Sequence, residues 1–278
     1  MLTYDDKTFG IQEYELNLAE LYPIIKERHD FIARFDVFLK SDHSNQRIFS
    51  IQGNTLKYSS EVFVSDKMDN RPPLLLLLGN PASHSVDAGM CFAFERGGQE
   101  HRFWRNLKEA GILTFLEQPP LNADPIEKNT VRRNALRELD YLSPFRLGIA
   151  AFYSLPSTSS DPKWSGVMGI RKLLGARAFG IISIHEEIRI DKLISRFIGI
   201  TGGIIAFQKD AYNGVRSYDT QKYSRDLAFQ GLLQGKYKRG LNIFLVGAPP
   251  TRMANTTFGK KAMLKYRLWL SQELNSYQ

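Results

Sequence analysis

The segment Leu74–Leu78, closed by Gly79-Asn80-Pro81, constrains the fold of this chain more than any other stretch. Five successive leucines leave no polar face to turn towards water. They read as a strand buried on both sides, the usual strand of a parallel sheet. Gly79 permits close approach of another group to the backbone, and Pro81 stiffens the turn that ends the strand. Asn80 is thereby held at the carboxyl end of a central strand, where open α/β sheets place their ligands. A strand–turn–helix junction in which Asn80 only satisfies the turn accounts for the same residues.

The pattern recurs. Leu147–Tyr153, Gly203–Phe207 and Leu241–Val246 are further apolar strands. Helices are expected at His101–Gly111, where Phe103, Leu107 and Ala110 share a face and Gly111 is a stop, and at Thr130–Leu142, Gly169–Gly175, Ile188–Phe197 and Asp219–Gly235. A closing helix is expected at Phe258–Leu274, with Met263, Tyr266, Leu270 and Leu274 along one side. Pro119–Asn129 and Leu155–Gly166 read as loops. Four apolar strands separated by helices predict the α/β class, as a three-layer α/β/α sandwich about a central four-stranded parallel sheet spanning residues 71–278. Residues 1–70 read as an N-terminal α+β accessory region. It would hold a helix over Asn17–Leu39, a hairpin of Arg47–Ser50 and Thr55–Tyr58 about Gln52-Gly53-Asn54, and a short strand at Glu61–Val64. The polar, proline-ended run Asp66–Pro73 is the connector.

Composition narrows the function classes. The 278 residues carry a formal net charge of +8, which favours polyanionic partners. A single cysteine, Cys91, excludes an intramolecular disulfide and a cluster ligated by four cysteines of one chain. The five histidines are scattered, with no zinc-type pairing. Neither a metal nor a cofactor is expected. The apolar runs are too short to span a bilayer and the first residues lack the features of a signal peptide, so a cytoplasmic monomer is the expectation. There is no phosphate-binding P-loop, no Gly-x-Gly-x-x-Gly after a strand and no Gly-x-Ser-x-Gly elbow.

The loops that follow the apolar strands gather a distinctive set of side chains. Asn80, His84, Asp87 and Phe92 follow the first, Tyr153 and Ser154 the second, and Pro249, Pro250, Thr251, Arg252 and Asn255 the last. Such a mixture suits a planar, uncharged heterocycle attached to a polyanion. Each residue also has a plainer reading. Phe92 can be core, Arg252 a solvated loop charge, His84 and Asp87 partners in a local turn, Trp104 core packing and Cys91 an inert buried thiol.

Three motifs in this order, Gly79-Asn80-Pro81, Gly89-Met-Cys-Phe92-Ala-Phe94 and Arg102-Phe103-Trp104, resemble the uracil-DNA glycosylase superfamily. The branch they look closest to is that of the mismatch-specific and single-strand-selective uracil glycosylases. The resemblance runs over roughly residues 74–274. It implies that Asn80 positions the attacking water and that Phe92 stacks on an extruded base. It also implies that Gly247-Ala248-Pro249-Pro250-Thr251-Arg252 stands in the place of the family's last motif, with Arg252 as the wedge that fills the vacated stack. The chain departs from the pattern twice. No residue separates Gly79 from Asn80, and Ala248 occupies the position of the family's His or Asn, which would stabilise the departing base.

On this reading Asn80 and Asp87 are the catalytic candidates. Gly79, Pro81, Phe92 and Tyr153 are the base-binding ones, and Pro249, Thr251, Arg252 and Asn255 the DNA contacts. The chemistry agrees with those residue types. The scissile bond is hidden in a duplex, so the nucleotide must be extruded at a cost of a few kcal/mol. Stacking on an aromatic ring returns about 1–3 kcal/mol per base. The electrophilic sugar centre needs a water that is held rather than strongly activated, which an amide does well. Backbone N–H groups near Gly79 and Ala82 are candidates to receive the base anion. The expected function is metal-independent, monofunctional excision of uracil or a related damaged base from DNA. The alternatives are a nucleic-acid-binding member that has lost catalysis, suggested by Ala248, and an unrelated α/β protein sharing only the strand–turn–helix pattern.

Overall fold

The five leucines do what an unbroken apolar strand must. They alternate between two separate cores, one on each face of the sheet. The computed structural model of the chain describes residues 2–5, 7–94, 99–119, 122–240, 242–251 and 256–276, apart from the side chain of Phe258. In chain order the first elements are β1 (Leu2–Tyr4), β2 (Phe9–Asn17), α1 (Leu18–Leu21), α2 (Ile25–Lys40), α3 (His43–Ile48), β3 (Phe49–Gln52) and β4 (Thr55–Val64). Then come β5 (Pro73–Leu78), α4 (Ser83–Asp87), α5 (Arg102–Glu109), β6 (Thr114–Phe115), α6 (Pro125–Glu138), β7 (Tyr141–Leu142) and β8 (Arg146–Ala151). A 3-10 turn (Pro162–Trp164) leads into α7 (Gly166–Leu174), α8 (Ala176–Phe197), β9 (Thr201–Ala206), α9 (Lys209–Val215) and α10 (Arg225–Gln230). The chain closes with β10 (Gln234–Lys236), β11 (Asn242–Gly247) and α11 (Thr257–Asn275).

The protein is a mixed α/β fold about a mostly parallel central sheet. Among the described residues nine strands form one sheet in the order β1-β2-β4-β8-β5-β9-β11-β10, with β3 paired to β4. The strands read from the apolar runs are β5, β8, β9 and β11, and they lie side by side and parallel. They form the middle of a larger sheet. β10 adds to β11 and β4 adds to β8, both antiparallel. The β4–β8 register is Val62↔Ala150, Phe63↔Ile149 and Val64↔Gly148. Glu61–Val64 is the end of the hairpin's second strand rather than a strand of its own. Those four residues are buried, which their pairing with the parallel set makes possible. Residues 1–70 therefore extend the same sheet.

Leu75 and Leu77 pack with Ala150, Ile204 and Leu245 beneath the aromatic face of α2 (Phe31, Phe35, Phe38) and the apolar sides of α7 and α8. Leu74, Leu76 and Leu78 pack with Ile149, Ile205 and Phe244 beneath α5 and α11. Each fully buried leucine contributes roughly 1.5–3 kcal/mol.

Four helix expectations change. Asn17–Leu39 is not one helix. β2 runs to Asn17, whose side chain caps α1 by accepting from the Ala19 and Glu20 N–H groups, and Pro23 separates α1 from α2. Asp219–Gly235 holds only the short α10, capped by Ser224 and ended by the left-handed Gly231, before β10 begins. Ser217 Oγ donates to Asp219 Oδ1 and lies 2.8 Å from Thr220 Oγ1, and these bonds hold the earlier part as a turn. α8 starts well before Ile188, because Glu186, Arg189 and Asp191 sit on its buried face and interrupt the apolar stripe. α6 likewise begins at Pro125, inside the expected loop, with Asp124 as its cap.

Candidate site at the carboxyl edge of the parallel strands

The parallel ladder continues one residue past each strand. Phe152 N–H donates to Leu78 O, Tyr153 N–H to Gly79 O, Phe207 N–H to Leu77 O and Ala248 N–H to Ala206 O, all at 2.8–2.9 Å. These bonds line up Gly79, Tyr153, Phe207 and Ala248 along one edge. A Cβ at 79 would lie 2.9 Å from Gln208 Cγ, so glycine lets the Gln208 side chain sit against the backbone there.

Asn80 is half-buried at this edge and is held by the loop after β8. Ser157 N–H donates to Pro81 O and Ser83 N–H to Ser157 O, each at 3.0 Å, so the two loops zip together. Asn80 Nδ2 donates to Pro81 O and to Ser157 Oγ, both at 2.8 Å. Ser157 Oγ also accepts from Gly166 N–H at 2.8 Å, at the start of α7. Both amide hydrogens of Asn80 are thus committed. Oδ1 has no partner among the described residues and is an acceptor of fixed direction.

Behind the loop lies a buried charged network. Glu186 is fully buried and accepts from Ser154 N–H (2.6 Å) and Ser154 Oγ (2.5 Å) with Oε1. Its Oε2 pairs with Arg189 Nε at 2.5 Å. Arg189 Nη2 donates to Ala151 O (2.6 Å) and Phe152 O (2.9 Å), fixing the end of β8. Tyr58 Oη joins at Ser154 Oγ, 2.7 Å away. Burial and the Glu186 charge push the Tyr58 phenol well above its ordinary value.

Phe92 lies on the other face of the sheet. Its ring stacks on Phe103 with centroids 3.9 Å apart and leans on His101 at 4.9 Å. Its carbonyl accepts from Trp104 Nε1 at 3.0 Å, and its backbone is left-handed at φ 48°. Phe103 meets Phe207 edge-on at 5.6 Å, which joins this aromatic pile to the residue before Gln208, and so to Gly79.

The remaining expected residues divide. Asp87 turns away from Asn80. Its carboxylate takes both Arg47 and Ser44, which ties α4 to α3. His84 is exposed, with Nδ1 3.2 Å from Ser159 Oγ in the loop that holds Asn80. Tyr153 contributes its backbone to the edge. Its ring is buried in the opposite core from Phe92, against Phe152 and Phe179, with Oη 3.2 Å from Ser183 Oγ. Burial pushes its phenol up to about 12. Pro81 and Pro249 are buried and Thr251 is half-buried. Arg252 and Asn255 lie outside the described residues. Ala248 is fully buried, and its carbonyl accepts from Tyr223 Oη at 3.0 Å.

Three contributors were not anticipated from the residues alone. Ser157 sits in a Ser/Pro-rich loop where nothing marks it out from Ser154, Ser159 or Ser160. Gln208 and Tyr223 carry no spacing signal. Among the described residues no group of three His, Cys, Asp or Glu side chains is placed to hold a metal ion, and no helix is long and apolar enough to cross a membrane. No protein-family model matches the chain, and no curated protein matches it.

Proposed function

We propose that this protein hydrolyses the N-glycosidic bond of uracil, or of a related damaged base, in DNA. One observation carries the reading. The Asn80 amide is pinned through both its hydrogens, so Oδ1 points as a fixed acceptor from the carboxyl edge of the parallel strands. That is the geometry needed to hold a water against an electrophilic sugar carbon. Water attacks C1′ as the bond from C1′ to the base nitrogen breaks. The bonding pair leaves with the base, and the water's proton is released, giving free base and an abasic sugar. The extruded base is taken to stack on the half-buried Phe92 and His101, whose pile is backed by the buried Phe103. The formal charge of +8 favours the phosphate backbone, and Arg252 and Asn255 are retained as proposed DNA contacts. The catalytic unit is taken to be the four parallel strands with helices over both faces, in a three-layer arrangement.

Asp87 is left as a structural tie in this scheme, because Arg47 and Ser44 occupy its oxygens. A second reading, a nucleic-acid-binding protein without catalysis, is favoured by Ala248, which is buried and offers no side-chain donor to the departing base. Incubation with uracil-containing single-stranded and duplex DNA, followed by alkali, separates the two. Strand breaks that need Asn80 support hydrolysis. Salt-dependent binding with no break on any damaged base supports the second reading.

A further inference from the structure

We propose that the outward face of α8 pairs with the same face of a second copy of this chain, antiparallel and about a two-fold axis. That face includes none of the residues placed at the Asn80 edge, and its pairing does not depend on the glycosidase reading. α8 is the longest helix among the described residues, and one side of it stays uncovered. On that side Ala176, Gly180, Ile184 and Ile188 follow one another at four-residue spacing, which makes a ridge along the helix. Ile184 is 62% and Ile188 46% exposed, and Ala176 and Gly180 are exposed beside them. The half-buried Ile181 widens the patch.

The ridge is self-complementary in shape. Its N-terminal half is small and its C-terminal half is large. An antiparallel copy whose axis passes level with Ile182 brings Ile184 against Gly180 of the second copy, and Ile188 against its Ala176. Gly180 is otherwise unexplained. Glycine inside a helix weakens it relative to alanine, and no atom of the chain lies within 4 Å of where a Cβ at 180 would be. Close approach of a second backbone is what a glycine there serves.

The same register is complementary in charge. It sets Glu187 level with Arg177 of the second copy. Each has a long, partly exposed pair in its own chain: Arg177 Nη1 lies 3.2 Å from Glu27 Oε2, and Lys238 Nζ lies 3.3 Å from Glu187 Oε2. Across the axis these pairs join into a line of alternating sign, Glu27 and Arg177 followed by Glu187 and Lys238 of the second copy. One such line forms at each end of the contact. A parallel pairing in register would instead set Arg177 against Arg177 and Ile184 against Ile184, so charge and shape both select the antiparallel one. A single helix face is at the small end of specific interfaces, so the dimer is weak and forms as concentration rises.

Sedimentation velocity of the full chain over a wide range of concentration should show a monomer passing to a dimer. Ile184→Asp should weaken the dimer about ten-fold or more while circular dichroism shows the fold kept, since the side chain is exposed. Gly180→Leu is the sharper variant. It adds apolar surface and strengthens the helix, yet it fills the space that Ile184 of the second copy needs, so it too should weaken the dimer. Cross-linking reads the register. Cys91 is buried, so introduced cysteines are the reactive ones. An equimolar mixture of Gly180→Cys and Ile184→Cys chains should oxidise to the mixed disulfide in preference to either chain's own. Asn80→Ala should leave the dimer unchanged, so failure of this pairing and failure of the glycosidase reading are told apart. A monomer at every concentration, a dimer strengthened by Gly180→Leu, or disulfides between two Ile184→Cys chains in excess of the mixed one overturns the proposal.

Discussion

Asn80 Nδ2 and Ser157 Oγ are 2.8 Å apart across 77 residues of chain, and that bond fixes the direction of the Asn80 carbonyl. Ser157→Ala removes it while leaving the Ser157 backbone bonds to Pro81 and Ser83 in place. The expected result is a fall in uracil excision of about 10–100-fold with little change in melting temperature, because a group misplaced by about 1 Å costs on the order of 10²-fold. Excision unaffected by the change would remove Ser157 from the site.

Asn80→Ala should abolish excision and keep the fold, since the side chain is half-buried and its neighbours can be hydrated. Circular dichroism and alkali-labile strand breaks, measured on the same preparation, check both halves. Residual turnover equal to that of the parent protein would falsify the assignment of the held water to Asn80.

Phe92 separates backbone from ring. Its φ of 48° costs a non-glycine residue of the order of 1 kcal/mol, so Phe92→Gly regains part of what Phe92→Ala loses. Both variants lose the stack on Phe103. We expect Phe92→Gly to melt above Phe92→Ala, while both weaken binding to DNA carrying an extrudable base by about 1–3 kcal/mol. Equal affinity of both variants and the parent would make Phe92 a core residue only.

Glu61 is a buried carboxyl on β4, one of whose oxygens, Oε2, has no hydrogen-bond partner. Burial pushes it from 4.5 up to about 8. The folded protein therefore keeps a proton that the unfolded chain releases above pH 4.5. Stability from this group is whole below that value and is lost as pH climbs towards 8, at about 1.4 kcal/mol per unit of pKa difference. Glu61→Gln should gain on the parent between about pH 5 and about pH 9 in urea unfolding. A difference that does not vary with pH would show that Glu61 is already ionised in the folded state.

Glu186→Gln leaves Arg189 buried without its counter-charge. Breaking such a pair costs about 3–5 kcal/mol. The variant should therefore melt well below the parent, with the loss of order beginning in the loop that carries Ser154 and Ser157. Hydrogen exchange would find that loop protected as before if the pair does not hold it.

The parallel strands were legible because burial on both faces leaves a signature in the residues themselves, as in Leu74–Leu78. Their edges were legible for the same reason, since Gly79 and Pro81 punctuate the turn. The long buried α8 was not, because Glu186, Arg189 and Asp191 break its apolar stripe and are stabilised by partners far along the chain. Ser157 was invisible for a related reason: its importance lies in what it meets, Asn80 and Gly166. Tyr153 shows the converse limit. Position after a strand places its backbone at the edge, but the alternation of Leu147, Ile149 and Ala151 would put its ring on the side of Phe92, and the chain breaks that alternation beyond β8, so the ring packs with Phe152 in the opposite core.

The antiparallel seam of Val62–Val64 on Gly148–Ala150 has a practical corollary. Trimming the chain to begin near Leu74 would strip β8 of one of its two neighbours and lay bare a row of unpaired peptide groups, an invitation to self-association. A shortened version should come off a sizing column as aggregate, and a minimal monodisperse fragment will have to retain β4.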